Sequence, residues 1–331
     1  MLRGIEVRYM RRILLRNCAG VVEAFEPWVY RRGPLDVLIE EGRLTIGDNS
    51  HADVVIDCKG ELVALPCFFD AFHAPRVRNG DWLDEILADP ASDYNPTHVA
   101  SELARRGYCG AILYSLEGGG EYNGVKLVTP SRIVTPDARV IGDDRDGMVV
   151  AAVALTRRSV YTWRSRFGAF PVEWLERNNL LKGVVVGSWI ASWEVEAVKR
   201  NESIIAVLPF AQAFFRGGLP PRPAYMDVMA LGTGGLTADA WSNLIAFGAM
   251  MEAAYWSSIP LEKLFSVALR ASKLIIGREV KLVNGSEAFL QLVELNEQLE
   301  DIRPMSLLTA RPRVIATIAG GSIAYVDTRW L

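Results

Sequence analysis

A carboxylate and an imidazole three residues apart, Asp70 and His73, lie in the apolar run ALPCFFDAFHA (64–74). An aspartate that orients one nitrogen of a histidine ring leaves the other nitrogen available as a base, so the two form a candidate acid–base couple. Further polar groups stand at or near the ends of other apolar runs: Ser115, Arg132, Arg157, Gln212 and Thr233. No nucleophile-elbow motif or paired-carboxylate spacing accompanies them. The triplet Gly118-Gly119-Gly120 lacks the Lys-Ser/Thr of a phosphate loop and does not open a helix. The supply of imidazole is small. The chain holds 3 histidines, His51, His73 and His98, whereas stable zinc sites use three or four protein ligands. His51 falls in a sheet segment and His98 near the start of a helix, and both are expected at the surface. Cys18, Cys58, Cys67 and Cys109 form no Cys-x-x-Cys pair and no cluster with histidine, which predicts four buried free thiols.

These residues must be positioned by a large soluble core. Of 331 residues 50% are hydrophobic and 23% charged, enough to bury one large domain with a small companion. A net charge of -3 supplies no field for nucleic acid or an anionic membrane. No apolar stretch approaches the roughly 18 residues of a membrane span, since the longest helical candidate, Leu244 to Trp256, contains Glu252. The arginine-rich start MLRGIEVRYMRRILLRN has its apolar run broken by Arg16 before any cleavage site, which reads as an unexported, cytoplasmic protein.

The first sixty-odd residues alternate short apolar runs with turns; VLI and LTI around EEGR predict a β-hairpin in a small antiparallel sheet. The middle changes character. Apolar runs without polar alternation (ALPCFF, GAILYS, VKLV, MVVAAVAL, GVVVGSW, IIAVLPF, DVMALGT) alternate with the helical stretches THVASELARRG, PVEWLERNNLL and WEVEAVKRN, and a long helix is expected from Ala238 to Trp256. That order implies parallel strands joined by right-handed crossovers, as in a barrel or a doubly wound sheet. Two more helices are expected, LEKLFSVALRASKLIIG and a run near Ser286 to Leu299, and the chain closes on a hairpin about Gly320-Gly321.

The order of these pieces resembles the metal-dependent amidohydrolase superfamily, in its branch of cytosine deaminases, adenosine-type deaminases and triazine chlorohydrolases. RRGPLDVLIEEGRLTIGD followed by ADVVIDCKGELVALPCFFDAFHA is similar to the family's sheet segment running into a Leu-Pro-Gly-Phe-Ile-Asp-x-His-x-His strand. FGAFPVEWLERNNLLKGVVVGSWIASWEVEAV resembles the Pro-Val-Glu-Tyr-Leu helix, the Leu-Leu turn and the next ligand strand. VLPFAQAFFRGG and ALGTGGLTADAWSNL take the places of His-Cys-Pro-x-Ser-Asn-x-x-x-Gly and Leu-Gly-Thr-Asp-Gly. The resemblance spans nearly the whole chain. It implies an α/β fold, a reduced (β/α) TIM-like barrel (66–284) with a small β-sandwich domain formed by both termini (1–65, and a helix and hairpin in 285–331).

The family's chemistry rests on a divalent metal that turns bound water into hydroxide near neutral pH. Carried over, its ligand positions fall on Phe72, Ala74, Thr129, Val150, Ala152, Val186, Val207 and Gly234, and its glutamate on Leu155. The resemblance therefore implies a degenerate member with no metal and no cofactor. His73 lies one residue beyond the first ligand position, which turns a strand side chain to the opposite face. It is then either a strand-end residue bonded by its neighbours or, through a local bulge, re-aimed into the barrel mouth beside Asp70. Only nine residues separate GAILYS from VKLV, too few for the usual crossover, so a strand–helix unit is missing and the barrel is open or seven-stranded there.

Three roles follow. The first is a non-catalytic protein that binds, assembles or regulates, with Phe72, Trp189, Trp193, Phe210, Phe214 and Phe215 either filling the core or forming a small-molecule pocket or a contact surface. The second is a hydrolase of C–N bonds in cyclic amide, amidine or nucleobase-like substrates, working through a rebuilt Asp70–His73 site. The third is a subunit of a homo-oligomer, or of a hetero-oligomer with an intact relative.

Overall fold

The computed structural model describes residues 12–75, 87, 89–143, 146–214, 222–235, 238–255, 259–296 and 301–330. The arginine-rich start (1–11), Phe215 and Trp256 lie outside them. β1 (Ile13–Phe25) pairs antiparallel with β2 (Trp28–Glu40), which returns as β3 (Arg43–Ile46) through Glu41 and Gly42, both at positive φ (52° and 74°). A two-residue turn with both positions left-handed matches the twist of its strands, as EEGR predicts. β4 (Val54–Asp57) and β5 (Leu62–Pro66) join β1 in parallel, so the sheet is mixed rather than antiparallel.

The end of the chain completes this sheet. β16 (Leu290–Glu294) lies antiparallel to β5, and β17 (Arg313–Ala319) and β18 (Ser322–Val326) form the hairpin about Gly320-Gly321. The order is β18-β17-β16-β5-β1-β2-β3 with β4 on β1, a composite of both termini. The helix expected near Ser286 to Leu299 is corrected here, because its central part is strand β16. FLQLVEL fits either period, and the strand wins because β5 and β17 offer it a ladder on each edge, burying Leu290, Gln291 and Leu292 completely.

One residue, Cys67, separates β5 from the first barrel strand, β6 (Phe68–His73). β6, β7 (Tyr108–Leu113) and β9 (Val125–Val128) run parallel. In the second sheet β10 (Arg132–Val134), β12 (Val149–Ala154), β13 (Gly183–Gly187), β14 (Ile204–Val207) and β15 (Met229–Leu231) run parallel, with the short β11 (Val140–Ile141) antiparallel on the outer edge. Only Thr129, Pro130 and Ser131 separate β9 from β10. Proline has no N–H for the ladder, so one strand path leaves the first sheet here and enters the second. Counting that path once gives seven barrel positions among the described residues. The short connection before β9 is made without a helix: β8 (Gly120–Tyr122) runs back on the far side of β9, and the β8–β9 hairpin places β9 against β7.

The helices cover this barrel. α1 (Pro96–Arg105) precedes β7; α2 (Arg157–Phe167) and α3 (Pro171–Arg177) connect β12 to β13; α4 (Ser192–Arg200) and α5 (Pro209–Phe214) flank β14. α6 (Ala240–Tyr255), α7 (Leu261–Leu269) and α8 (Ser272–Ile276) follow β15, the last two splitting the single helix expected over 261–277, and α9 (Pro304–Thr309) precedes β17. α2 is not among the expected helices. A Thr156–Ser159 capping box starts it and Gly168, at φ 65°, ends it. All six residues of β12 are buried, as befits a parallel strand covered on both faces. Among the described residues no helix is long and apolar enough to cross a membrane.

The expectation of four free thiols fails for two of them. Cys67 and Cys109 form a disulfide that ties the sheet–barrel junction to β7. Sequence spacing hides it, because only the parallel pairing of β6 with β7 brings residues 42 apart together. Cys18 and Cys58 are free and buried, with their sulfurs 3.2 Å apart.

Candidate functional site

Asp70 is fully buried at the junction between the first and last barrel strands. Its Oδ1 accepts from the backbone N–H of Phe72 (3.1 Å) and of Thr233 (2.9 Å), and its Oδ2 accepts from Thr233 Oγ1 (2.5 Å). His73 Nδ1 lies 3.1 Å from both Asp70 Oδ2 and Thr233 Oγ1. A carboxylate only accepts, so Nδ1 is the donor toward Asp70, and Nε2 is the ring nitrogen left outside this contact. The strand register slips between Asp70 and His73, three residues on β6 opposing two on β7. This bulge brings the imidazole back beside the carboxylate.

β6 and β15 share no ladder, and the Asp70 contacts together with a bond from Gly234 N to Phe72 O (3.0 Å) close the barrel between them. Gly232 lets the strands meet: a Cβ there would lie 2.6 Å from Leu208 Cδ2 and 3.1 Å from Phe72 Cβ. Gly232→Ala is therefore expected to lower stability by about 1–3 kcal/mol, the range for overpacking a core, as read by urea unfolding.

The positions that would hold a metal are packed instead. Phe72, Val150, Ala152, Val186 and Val207 are 0% exposed, Leu155 2% and Ala74 5%. Phe72 rests on Tyr114 with ring centroids 5.2 Å apart. Thr129 is half-buried at the bend between β9 and β10, and Gly234 turns at φ 68°. Among the described residues, no group of three or more His, Cys, Asp or Glu could hold a metal ion. Valine, alanine and phenylalanine offer a cation no lone pair, so this donor set does not fit one.

A second feature lies at the rim, beyond the C-terminal ends of β12 and β13, where barrel enzymes place their sites. A cavity of about 510 Å³ is walled on one side by Arg157, Val160, Tyr161 and Arg164 of α2. Phe170, the Ser188–Trp193 segment after β13, and Arg222, Tyr225 and Tyr255 complete it. Asp70, Phe72, His73 and Thr233 are not in its lining. The wall is braced by Glu194, 2% exposed, which accepts from Ala191 N (3.0 Å) at the start of α4 and from Val172 N (2.9 Å) in the first turn of α3.

Burial raises the Glu194 pKa above its ordinary 4.5, against the opposing pull of these amides. The folded chain holds this proton more tightly than the unfolded one, so the contribution is fully present below 4.5 and is lost as pH rises through the folded pKa. Glu194→Gln gives up one acceptor and is expected to be about 1 kcal/mol less stable than wild type at low pH. That gap should narrow as pH climbs above 4.5, as read by urea unfolding of both proteins across the window.

The residues singled out in sequence thus separate into groups. Asp70, Phe72, His73 and Thr233 meet at the barrel closure, while Arg157 and Trp189 meet in the rim cavity with Trp193. Gln212 stands behind that cavity, donating through Nε2 to Ser188 Oγ. The others do not join them. Ser115 is buried in its own turn, exchanging bonds with Glu117; Arg132 is half-buried where β10 begins; Phe210 lines a different cavity, of about 810 Å³, with Arg105 and Trp241. His51 and His98 are exposed, as expected. Sequence reasoning missed Tyr161, Arg164 and Arg222. For the first two a signal existed: Arg157, Tyr161 and Arg164 stand four and three apart, one face of a helix.

No family model matches the chain. Two 5-methylthioadenosine/S-adenosylhomocysteine deaminases, from two strains of Desulfitobacterium hafniense, are 31% identical over 109 residues, covering 31% of this chain and 25% of theirs. The chain thus matches about a quarter of the length of these curated relatives. Among solved structures, an adenosine deaminase from Xanthomonas campestris with bound zinc superposes with TM-score 0.72 at 14% identity, over 96% of this chain and 94% of that one. A triazine hydrolase from Arthrobacter aurescens gives 0.70 at 15%, over 97% and 96%, and a guanine deaminase from E. coli 0.70 at 12%, over 95% and 99%. At such identities the likeness is one of fold, shared across deaminases and triazine hydrolases without singling out a branch.

Proposed function

We propose that the chain is a degenerate amidohydrolase-type protein that works without a catalytic metal and keeps the barrel as a scaffold for binding a small molecule at its rim. One observation carries this reading: of the would-be ligand positions, Phe72, Ala74, Val150, Ala152, Val186 and Val207 are apolar and between 0% and 5% exposed, so the space where a metal would sit is filled as core. Asp70 supports it, since its carboxylate is occupied by four donors that hold the barrel shut.

The hydrolase alternative has one observation in its favour, the Nδ1 contact of His73 to a buried carboxylate, which leaves Nε2 as a base. Ammonia release from amidines and amino-substituted nucleobases, and ring opening of cyclic amides, each with and without added zinc, distinguish the two. The binding reading expects neither above buffer. Turnover that disappears in Asp70→Asn would establish the alternative.

A further inference from the structure

The rim cavity has a lining that points to a ligand class. Arg157, Arg164 and Arg222 face one space, and no aspartate or glutamate is among the described residues that line it, Glu194 lying behind the wall with its oxygens on backbone N–H groups. A chain of net charge -3 thus presents a local concentration of positive charge here. Three guanidinium groups around one cavity repel one another, and an anion placed among them relieves that repulsion while accepting paired N–H donors.

The rest of the wall is aromatic. Tyr161 is 56% exposed, Trp189 40% and Trp193 63%, unusual values for rings of this size outside a binding surface. Arg157 lies 5.5 Å from the Tyr161 ring centroid and Arg164 5.3 Å from that of Phe170, while Trp193 meets Phe170 edge-on at 5.3 Å. The tyrosine hydroxyl also accepts from Arg157 (3.3 Å), which with Arg164 lowers the phenol pKa, a sign of the positive field in that corner. A volume of about 510 Å³ suits a molecule of one or two rings.

We infer that this cavity binds a planar aromatic molecule carrying a carboxylate or a phosphate, with the anionic group on Arg157 and Arg164 and the ring against the exposed tryptophans. The inference rests on the binding reading above and deepens it. The α2 arginines are exposed on a capped helix, so removing them should leave the fold intact.

The test is titration of the full chain, followed by calorimetry and tryptophan fluorescence, with adenylate, adenosine, naphthoate, naphthalene methanol and inorganic phosphate. The expected result is that adenylate or naphthoate binds at least roughly tenfold more tightly than its neutral counterpart. Arg157→Ala/Arg164→Ala should abolish that difference, and Trp193→Ala should weaken the charged and neutral ring compounds alike. The stronger of the two charged compounds identifies phosphate or carboxylate. Equal affinity for charged and neutral compounds, phosphate binding as tight as adenylate, binding untouched by the arginine changes, or no binding at all would overturn the inference. A metal-free chain that binds none of the compounds loses this ligand class only. A stoichiometric catalytic metal would instead refute the function proposed above, whatever the titrations show.

Discussion

Asp70→Ala should lower the unfolding free energy by about 3–5 kcal/mol, the largest loss expected from a single side chain here. The change strands four donors at once, the N–H groups of Phe72 and Thr233, the Thr233 hydroxyl and His73 Nδ1, in a buried place. It also releases the contacts that hold the last strand against the first. Asp70→Asn keeps the shape and one acceptor but points an amide N–H₂ at donors, so its loss should be smaller yet still of order 2 kcal/mol. His73→Ala leaves the other three donors paired and should be the mildest. A catalytic Asp70 predicts another pattern: an asparagine variant nearly as stable as wild type and devoid of turnover. Urea unfolding of the three variants beside the ammonia assay tells the patterns apart.

Loss of the Cys67–Cys109 bond is the second large effect. It closes a loop of 42 residues, and on the chain-entropy account its removal costs about 4 kcal/mol. Cys67→Ser/Cys109→Ser should therefore unfold at markedly lower urea, and wild type should fall to the same midpoint under reductant. Cys18→Ser/Cys58→Ser is the control, because those sulfurs are in contact but unbonded. Alkylation of the denatured, unreduced chain should modify two cysteines, and four after reduction. A wild-type midpoint indifferent to reductant would show that the bond contributes nothing to stability.

The sequence made the architecture legible because buried parallel strands leave a plain mark. Runs such as MVVAAVAL and IIAVLPF have no polar alternation, and each encloses a strand, β12 and β14. The short interval before VKLV likewise pointed to a missing crossover, and the β8–β9 hairpin shows how the chain manages without one. What escaped depends on partners distant in sequence. Leu290–Glu294 becomes a strand only because β5 and β17 flank it, and Cys67 meets Cys109 only through the β6–β7 pairing.

The site was readable as an absence more than as a presence. Phe72, Val150, Val186 and Val207, which the resemblance sets at ligand positions, are apolar in the sequence, and that much needed no geometry; in the structure they are buried. The role of Asp70 needed coordinates, because its partner Thr233 stands 163 residues away. The rim cavity draws on α2, the loop after β13 and the residues before β15, and no local window of sequence joins Arg157 to Trp189 and Arg222.

Whether the barrel lacks a donor set able to hold a metal can be asked of the purified chain by elemental analysis after expression in zinc- and iron-supplemented medium. The structure predicts no stoichiometric transition metal once the protein has passed through a chelator. One equivalent of zinc or iron that survives the chelator, and is lost together with activity on unfolding, would contradict it.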